Sequence, residues 1–168
     1  MAQTTELWDI YDSDRNPTGR VEPRGRLVIG DYHLVVHIWL MNEKGEILVT
    51  QRAQNKPWGL FWETTGGSVL AGETSLQAAV REVREEVGLE LDPAHGILID
   101  SVRRDRDFLD SWFFQGRLRL YDLKLRPDEV VDAKFISREE YDHMRRGCMF
   151  VPTQPDFFQL YDVRLKNR

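Results

Sequence analysis

One ungapped segment constrains this chain more than any other: GSVLAGETSLQAAVREVREEVGL, from Gly67 to Leu89. It opens in a glycine-rich loop and continues into apolar residues at helical spacing. A helix turns about 100° per residue, so with Glu82 at zero, Glu85 falls at about −60° and Glu86 at about +40°. Leu76, Val80, Val83 and Val87 fall between about 100° and 160°, a separate stripe that can be buried. The pattern predicts a helix from about Ser75 to Val87, with Thr74 as its N-cap and Gly88 as its stop.

Placing Glu82, Glu85 and Glu86 on one arc has a cost. Like charges three or four residues apart destabilise a bare helix by about 0.2–0.5 kcal/mol per pair. A solvated acidic face explains Glu82 and Glu86 taken singly. It does not explain the loop Thr64-Thr65-Gly66-Gly67 that leads in, or Glu73 one turn before the helix. Carboxylates of this kind suit the hard cations Mg²⁺ or Mn²⁺, which neutralise them and can bind phosphates at their remaining positions. Glycine lets backbone approach a ligand closely, so a carbonyl near Gly66 can act as a neutral fourth ligand. The cluster reads as a metal site.

Composition bounds the rest. The chain has 168 residues, 41% hydrophobic and 30% charged, enough to bury a core as one domain over residues 1–168. A net charge of −5 carries no footprint for nonspecific nucleic-acid binding. The single Cys148 cannot form an internal disulfide. No apolar run approaches the roughly 18 residues of a membrane span, and MAQTTELWDIYDSD has neither a basic start nor a hydrophobic signal segment. A cytoplasmic location is the default expectation, with neither nucleic acid nor membrane as partner.

Alternation and turn residues predict a hairpin over about 7–22, strands at Tyr32–Met41, Ile47–Arg52, Ile97–Arg103, Ser111–Arg119 and Val131–Ile136, and two later helices. Ser137-Arg-Glu-Glu140 has the form of a capping box opening a helix to about Arg146, and a last helix covers Asp156 to Val163.

Gly67, Glu73, Arg81, Glu82, Val83, Glu85, Glu86, Gly88 and Leu89 resemble the signature of the Nudix hydrolases at every specified position. The resemblance implies an α/β fold of the Nudix type, an α/β/α sandwich with a mixed sheet. It also implies Mg²⁺, with Mn²⁺ as the alternative, held by Glu82, Glu85, Glu86 and the Gly66 carbonyl. Arg81 would orient the carboxylates or meet a phosphate, and Glu73 would support the loop. The expected reaction is hydrolysis of a diphosphate linkage in a nucleoside diphosphate derivative, with Glu85 or the more distant Glu129 as general base. The resemblance is compatible with a homodimer.

Outside the signature, Trp8-Asp-Ile-Tyr-Asp12, His33-Leu-Val-Val-His-Ile-Trp39 and Asp128-Glu-Val130 resemble the branch that includes isopentenyl-diphosphate isomerase. Those enzymes carry a catalytic Cys in the glycine loop, followed by Gly and a metal-binding His. Gly66, Gly67 and Ser68 stand there in this chain, which leaves no nucleophile and points to hydrolysis. The isomerase's acidic pair falls near Phe108 and Asp110. An isomerase-like enzyme and a noncatalytic nucleotide-binding module are the alternatives. Arg52 and Lys56 are candidates for phosphate oxygens and Trp58 or Trp62 for a nucleobase. His33 and His37 share one face of a strand but lie about 13 Å apart, too far for one ion; His33 is a candidate substrate contact.

Overall fold

The computed structural model describes residues 5–166, so the first four residues of the stretch read for a signal segment lie outside them. Its centre is β3 (His33–Met41), which pairs in parallel with β8 (Asp107–Gln115) along its whole length, His33 opposite Asp107 and Met41 opposite Gln115. A strand buried on both sides sends alternate residues into two layers. Leu34, Val36, Ile38 and Leu40 enter one core, shared with α1 (Ser75–Val87). Trp39 and Met41 enter the other, shared with α2 (Arg138–Arg146) and α3 (Phe157–Arg164). The result is the expected α/β/α arrangement around a mixed sheet.

The other edge of β3 forks. Its far end meets β4 (Ile47–Arg52) only at Met41–Ile47, while its first half pairs with β6 (Thr65–Ser68) from Val35–Ser68 to Ile38–Thr65. β4 in turn takes the short β5 (Trp62–Glu63) on that side and β9 (Val130–Ile136) on the other. Residues 62–68 therefore fill the gap where β3 and β4 diverge. The buried Thr64 hydroxyl donates to the Ile38 carbonyl and fixes this insertion. The glycine loop is sheet rather than free loop.

α1 has the predicted bounds. Thr74 accepts from Gln77 N at 3.2 Å while the Gln77 side chain accepts from Thr74 N at 2.8 Å, a reciprocal cap. Gly88 ends the helix at φ 73°, which an L side chain resists. Burial runs beyond the apolar stripe: Ala78 and Ala79 are fully buried, and on the helical wheel they flank Glu82 and Glu86. Glu82 and Glu86 on this side are thus part-buried, while Glu85 at the edge of the arc stays exposed.

Two expectations need correction. The strand expected at Ser111–Arg119 runs from Asp107 to Gln115. Its start was hidden because Asp107 and Asp110 interrupt the apolar pattern, and Asp110, fully buried, is tolerated only through its partners. Arg15 from the turn between β1 (Leu7–Tyr11) and β2 (Pro17–Pro23) meets both its oxygens at 2.7 and 2.6 Å, and Ser101 donates at 2.8 Å. At Ser137 only half of the capping box forms: its hydroxyl accepts from Glu140 N at 3.2 Å, while the Glu140 carboxylate takes Lys134 at 2.6 Å.

Burial raises the Asp110 pKa, but hydrogen bonds from Arg15, Ser75 and Ser101 outweigh it and leave the group below its ordinary range. Removing Arg15 leaves a buried carboxylate short of its counter-ion. We expect Arg15→Ala to cost about 2–3 kcal/mol in chemical denaturation at neutral pH, given Arg15's partial exposure, more than the loss on breaking the exposed pair Arg138–Asp162. A depressed folded pKa stabilises above the ordinary carboxylate range and ceases to do so as pH falls through the folded value. The deficit of the variant should therefore shrink on acidification; a deficit that grows would contradict this.

Candidate active site

Arg81 ties the helix to the loop. Its guanidinium donates to both oxygens of Glu73 (2.8 and 3.0 Å), to Glu82 (2.8 Å) and to the Ser68 carbonyl (3.0 Å). Glu85 stands 3.6 Å from the same group. Burial works against the charge of Arg81, yet Glu73 and Glu82 outweigh it and hold its pKa above the ordinary value. Glu73 also accepts from Leu70 N at 3.0 Å. Loop and helix are thus clamped before any ligand arrives.

Beyond Arg81 opens a polar cleft of about 360 Å³, lined among others by Glu82, Glu85, Glu86, Gly66 and Gly67. Glu86 is strongly perturbed there. Burial first, then the charges of Glu82, Glu63 and Glu129, push its pKa well above the carboxylate norm. Burial also raises Glu82, against Arg81, and Glu63, against Arg52. Four carboxylates from three segments therefore press on one another. Mutual repulsion of this kind favours a cation, and oxygen donors favour a hard one.

The cations already present share the load. Arg52 donates to both oxygens of Glu63 at 2.7 Å, and Lys56 pairs with Glu129. Among the described residues no three His, Cys, Asp or Glu side chains already meet as a metal cage. The donor set fits a divalent ion in chemistry: Glu82 is turned to Arg81, Glu63 to Arg52 and Glu129 to Lys56, while Glu86 stands among like charges.

Gly67 is required by close approach, not by positive φ. A Cβ there would lie 2.2 Å from a Glu82 carboxylate oxygen, far inside contact distance. A similar atom on Gly66 would lie 2.5 Å from the Val36 carbonyl.

The structure sorts the remaining candidates. Arg52, Lys56, Trp58, Arg81 and Glu129 line the cleft. His33 does not: its ring stacks on Trp8 at 3.9 Å, and it is buried. His37, four residues on, lines the cleft, and desolvation pushes its pKa down to about 3, so it is neutral. Trp62 is a core residue under Lys134, not a cleft wall. Asp110 is spent on Arg15 and lies outside the cleft lining.

Glu63 and Arg126 were missed by sequence reasoning. Glu63 sits in a Trp-rich stretch, where its charge was the available signal. Arg126 and Glu129 arrive because residues 124–130 run along the end of α1. Lys124 N and Arg126 N donate to the otherwise orphaned carbonyls of Val87 and Glu86 at 2.8 and 3.0 Å.

Gly67→Ala should displace a flexible carboxylate rather than unfold the chain. The expected outcome is metal affinity weakened by about tenfold or more in calorimetric titration, with stability changed by about 1 kcal/mol or less, in line with one lost hard ligand. Unchanged affinity would contradict the close approach.

Comparison with known proteins agrees with this geometry. The NUDIX domain pattern matches residues 31–151. An uncharacterized Nudix hydrolase of Listeria monocytogenes is 39% identical over 165 residues, covering 96% of each chain. An isopentenyl-diphosphate Delta-isomerase of Pectobacterium atrosepticum is 34% identical, covering 94% of this chain and 90% of its own. The crystal structure of DR0079 from Deinococcus radiodurans superposes with a TM-score of 0.75 at 18% identity, over 96% of this chain and all of that one. With the family pattern spanning the sheet, the glycine loop and the acidic helix together, the chain belongs to the NUDIX family of hydrolases.

Proposed function

We propose that this hydrolase cleaves the diphosphate linkage of a nucleoside diphosphate derivative with the help of a divalent cation. The observation that carries the reading is Glu86, part-buried in the cleft wall and pressed by Glu82, Glu63 and Glu129. A chain does not gain stability by such an arrangement; it makes sense where positive charge is delivered with the substrate.

Glu82, Glu85, Glu86 and the Gly66 carbonyl would hold Mg²⁺ or Mn²⁺. When bound, the ion supplies charge neutralisation at the phosphates and a lower pKa for bound water. Arg52, Lys56 and Arg126 supply cationic side chains at the cleft for the phosphate oxygens. Arg81 holds Glu82 and Glu73 in place.

Water oxygen attacks phosphorus, the bridging P–O bond breaks, and the leaving phosphate carries away the electron pair. The water proton goes to a carboxylate. Glu85 is the better placed acceptor, since its contact with Arg81 is long at 3.6 Å, whereas Glu129 is tied to Lys56.

The isomerase alternative lacks its nucleophile at the glycine loop. Cys148, the sole cysteine of the chain, lines a neighbouring cavity instead.

Glu86→Gln keeps size and removes charge. It should retain the fold by circular dichroism and lose about a hundredfold or more of metal-dependent turnover in a phosphate-release assay, the scale of a lost electrostatic group. Near-wild-type turnover would remove the basis of the proposal. Chelation of divalent ions should abolish wild-type activity, and adding back Mg²⁺ or Mn²⁺ should restore it; metal-independent turnover would count equally against it.

A further inference from the structure

Beside the acidic cleft lies a second cavity of about 370 Å³, whose walls include Trp58, Phe61, Arg145, Cys148, Phe150 and Val151. We propose that it is the subsite for a nucleobase carried by the diphosphate, an inference that rests on the hydrolytic reading of the cleft. Trp58 and Val151 line both cavities. A group attached to a diphosphate in the cleft can therefore reach the second cavity without leaving the protein surface.

The walls are built in a manner that packing alone does not explain. Trp58 has φ 57° and Cys148 φ 53°, and Leu60, two residues on from Trp58, has φ 67°. These are three of the four non-glycine residues with positive φ among the described residues. A bulky L residue in that region is strained and persists only where its surroundings hold it. Here the turn is held by Arg52 Nε donating to the Pro57 carbonyl at 2.8 Å and by Gln51 Nε2 donating to the Leu60 carbonyl at 2.9 Å. The strain does not serve to bury the indole: Trp58 remains 51% exposed, braced edge-on against Phe61 with centroids 5.6 Å apart. A rigid, half-exposed aromatic face is what stacking on a planar ring requires.

A second observation selects a heteroaromatic ring over a hydrocarbon chain. Gln154 is buried and lines the acidic cleft, its backbone N–H bonded to Val151 O at 3.1 Å. Both Nε2 and Oε1 of its amide lack a partner among the described residues. Gln154 does not line the second cavity, but it is hydrogen-bonded to Val151, which lines both, and an amide with donor and acceptor unspent there matches the edge of a base, which offers both. A prenyl chain offers neither and would leave the amide unpaired.

The test compares equilibrium binding of the four common nucleoside 5′-monophosphates with that of ribose 5-phosphate, in Mg²⁺, so that the difference isolates the base. At least one nucleotide should bind about tenfold or more tightly than ribose 5-phosphate, a ratio in the range of one stacked base. Trp58→Ala should erase that ratio, Trp58→Phe should keep most of it, and Gln154→Leu should narrow it. Saturation with the same nucleotide should slow the reaction of Cys148 with a thiol reagent by about fivefold or more, which reports occupancy of this cavity directly. The proposal is overturned if no nucleotide outbinds ribose 5-phosphate, if the ratio survives Trp58→Ala, or if Cys148 reacts at an unchanged rate. It is also overturned if dimethylallyl diphosphate, and no nucleotide, binds in a Trp58-dependent manner. Metal-dependent phosphate release is followed in parallel on the corresponding nucleoside di- and triphosphates, which carry the linkage that the monophosphates lack. Release that persists while the base preference fails overturns the subsite alone, whereas a missing release overturns the hydrolytic reading and leaves the binding comparison to be judged separately.

Discussion

The guanidinium of Arg81 is the interaction on which the site depends. It joins Glu73 in the loop, Glu82 on the helix and the Ser68 carbonyl at the end of β6. Without a cation at that junction, loop and helix would present only oxygen atoms to each other. Each of those contacts is short, and Arg81 is well shielded from water, where charge-assisted bonds count for more than at a surface. The clamp also sets what remains: Glu85 is barely held and Glu86 is left among like charges.

The sheet carries this clamp through a fork. β3 pairs with β8 on one edge and divides its other edge between β4 and β6. That division brings Gly66 and Gly67 against the backbone of β3 and, at the same time, against the carboxylate of Glu82. A Cβ on Gly66 would meet backbone, and one on Gly67 would push the Glu82 carboxylate aside. The acidic arc of α1 can then face the interior of a cleft while the apolar stripe of the same helix builds the core.

Much of this was legible in the sequence because it is local. Helical phase, the Thr74 cap and Gly88 lie within one segment and set the bounds of α1, and β4 follows in the same local way from the apolar run at Ile47. The β8 strand was misplaced because its charge at Asp110 is compensated by Arg15, 95 residues away in sequence. His33 and His37 could not be told apart by period, since both point the same way; Trp8 covers the first and leaves the second to the cleft. Trp58 and Trp62 differ for a similar reason, the one standing on a strained turn and the other paired into the sheet. Glu63 and Arg126 reach the site through strand pairing and a loop docked on the helix end. Such long-range placement leaves no periodic trace.

The central claim is that water, and not a side chain, attacks phosphorus at the acidic cleft. Turnover in ¹⁸O-labelled water, with Mg²⁺ and a diphosphate substrate from which the wild-type protein releases phosphate, tests it most directly by mass spectrometry of the products. The account predicts one ¹⁸O per turnover, bonded to phosphorus in a phosphate product, with the organic group unrearranged. Products free of label, or an isomerised organic group with the diphosphate intact, would contradict it.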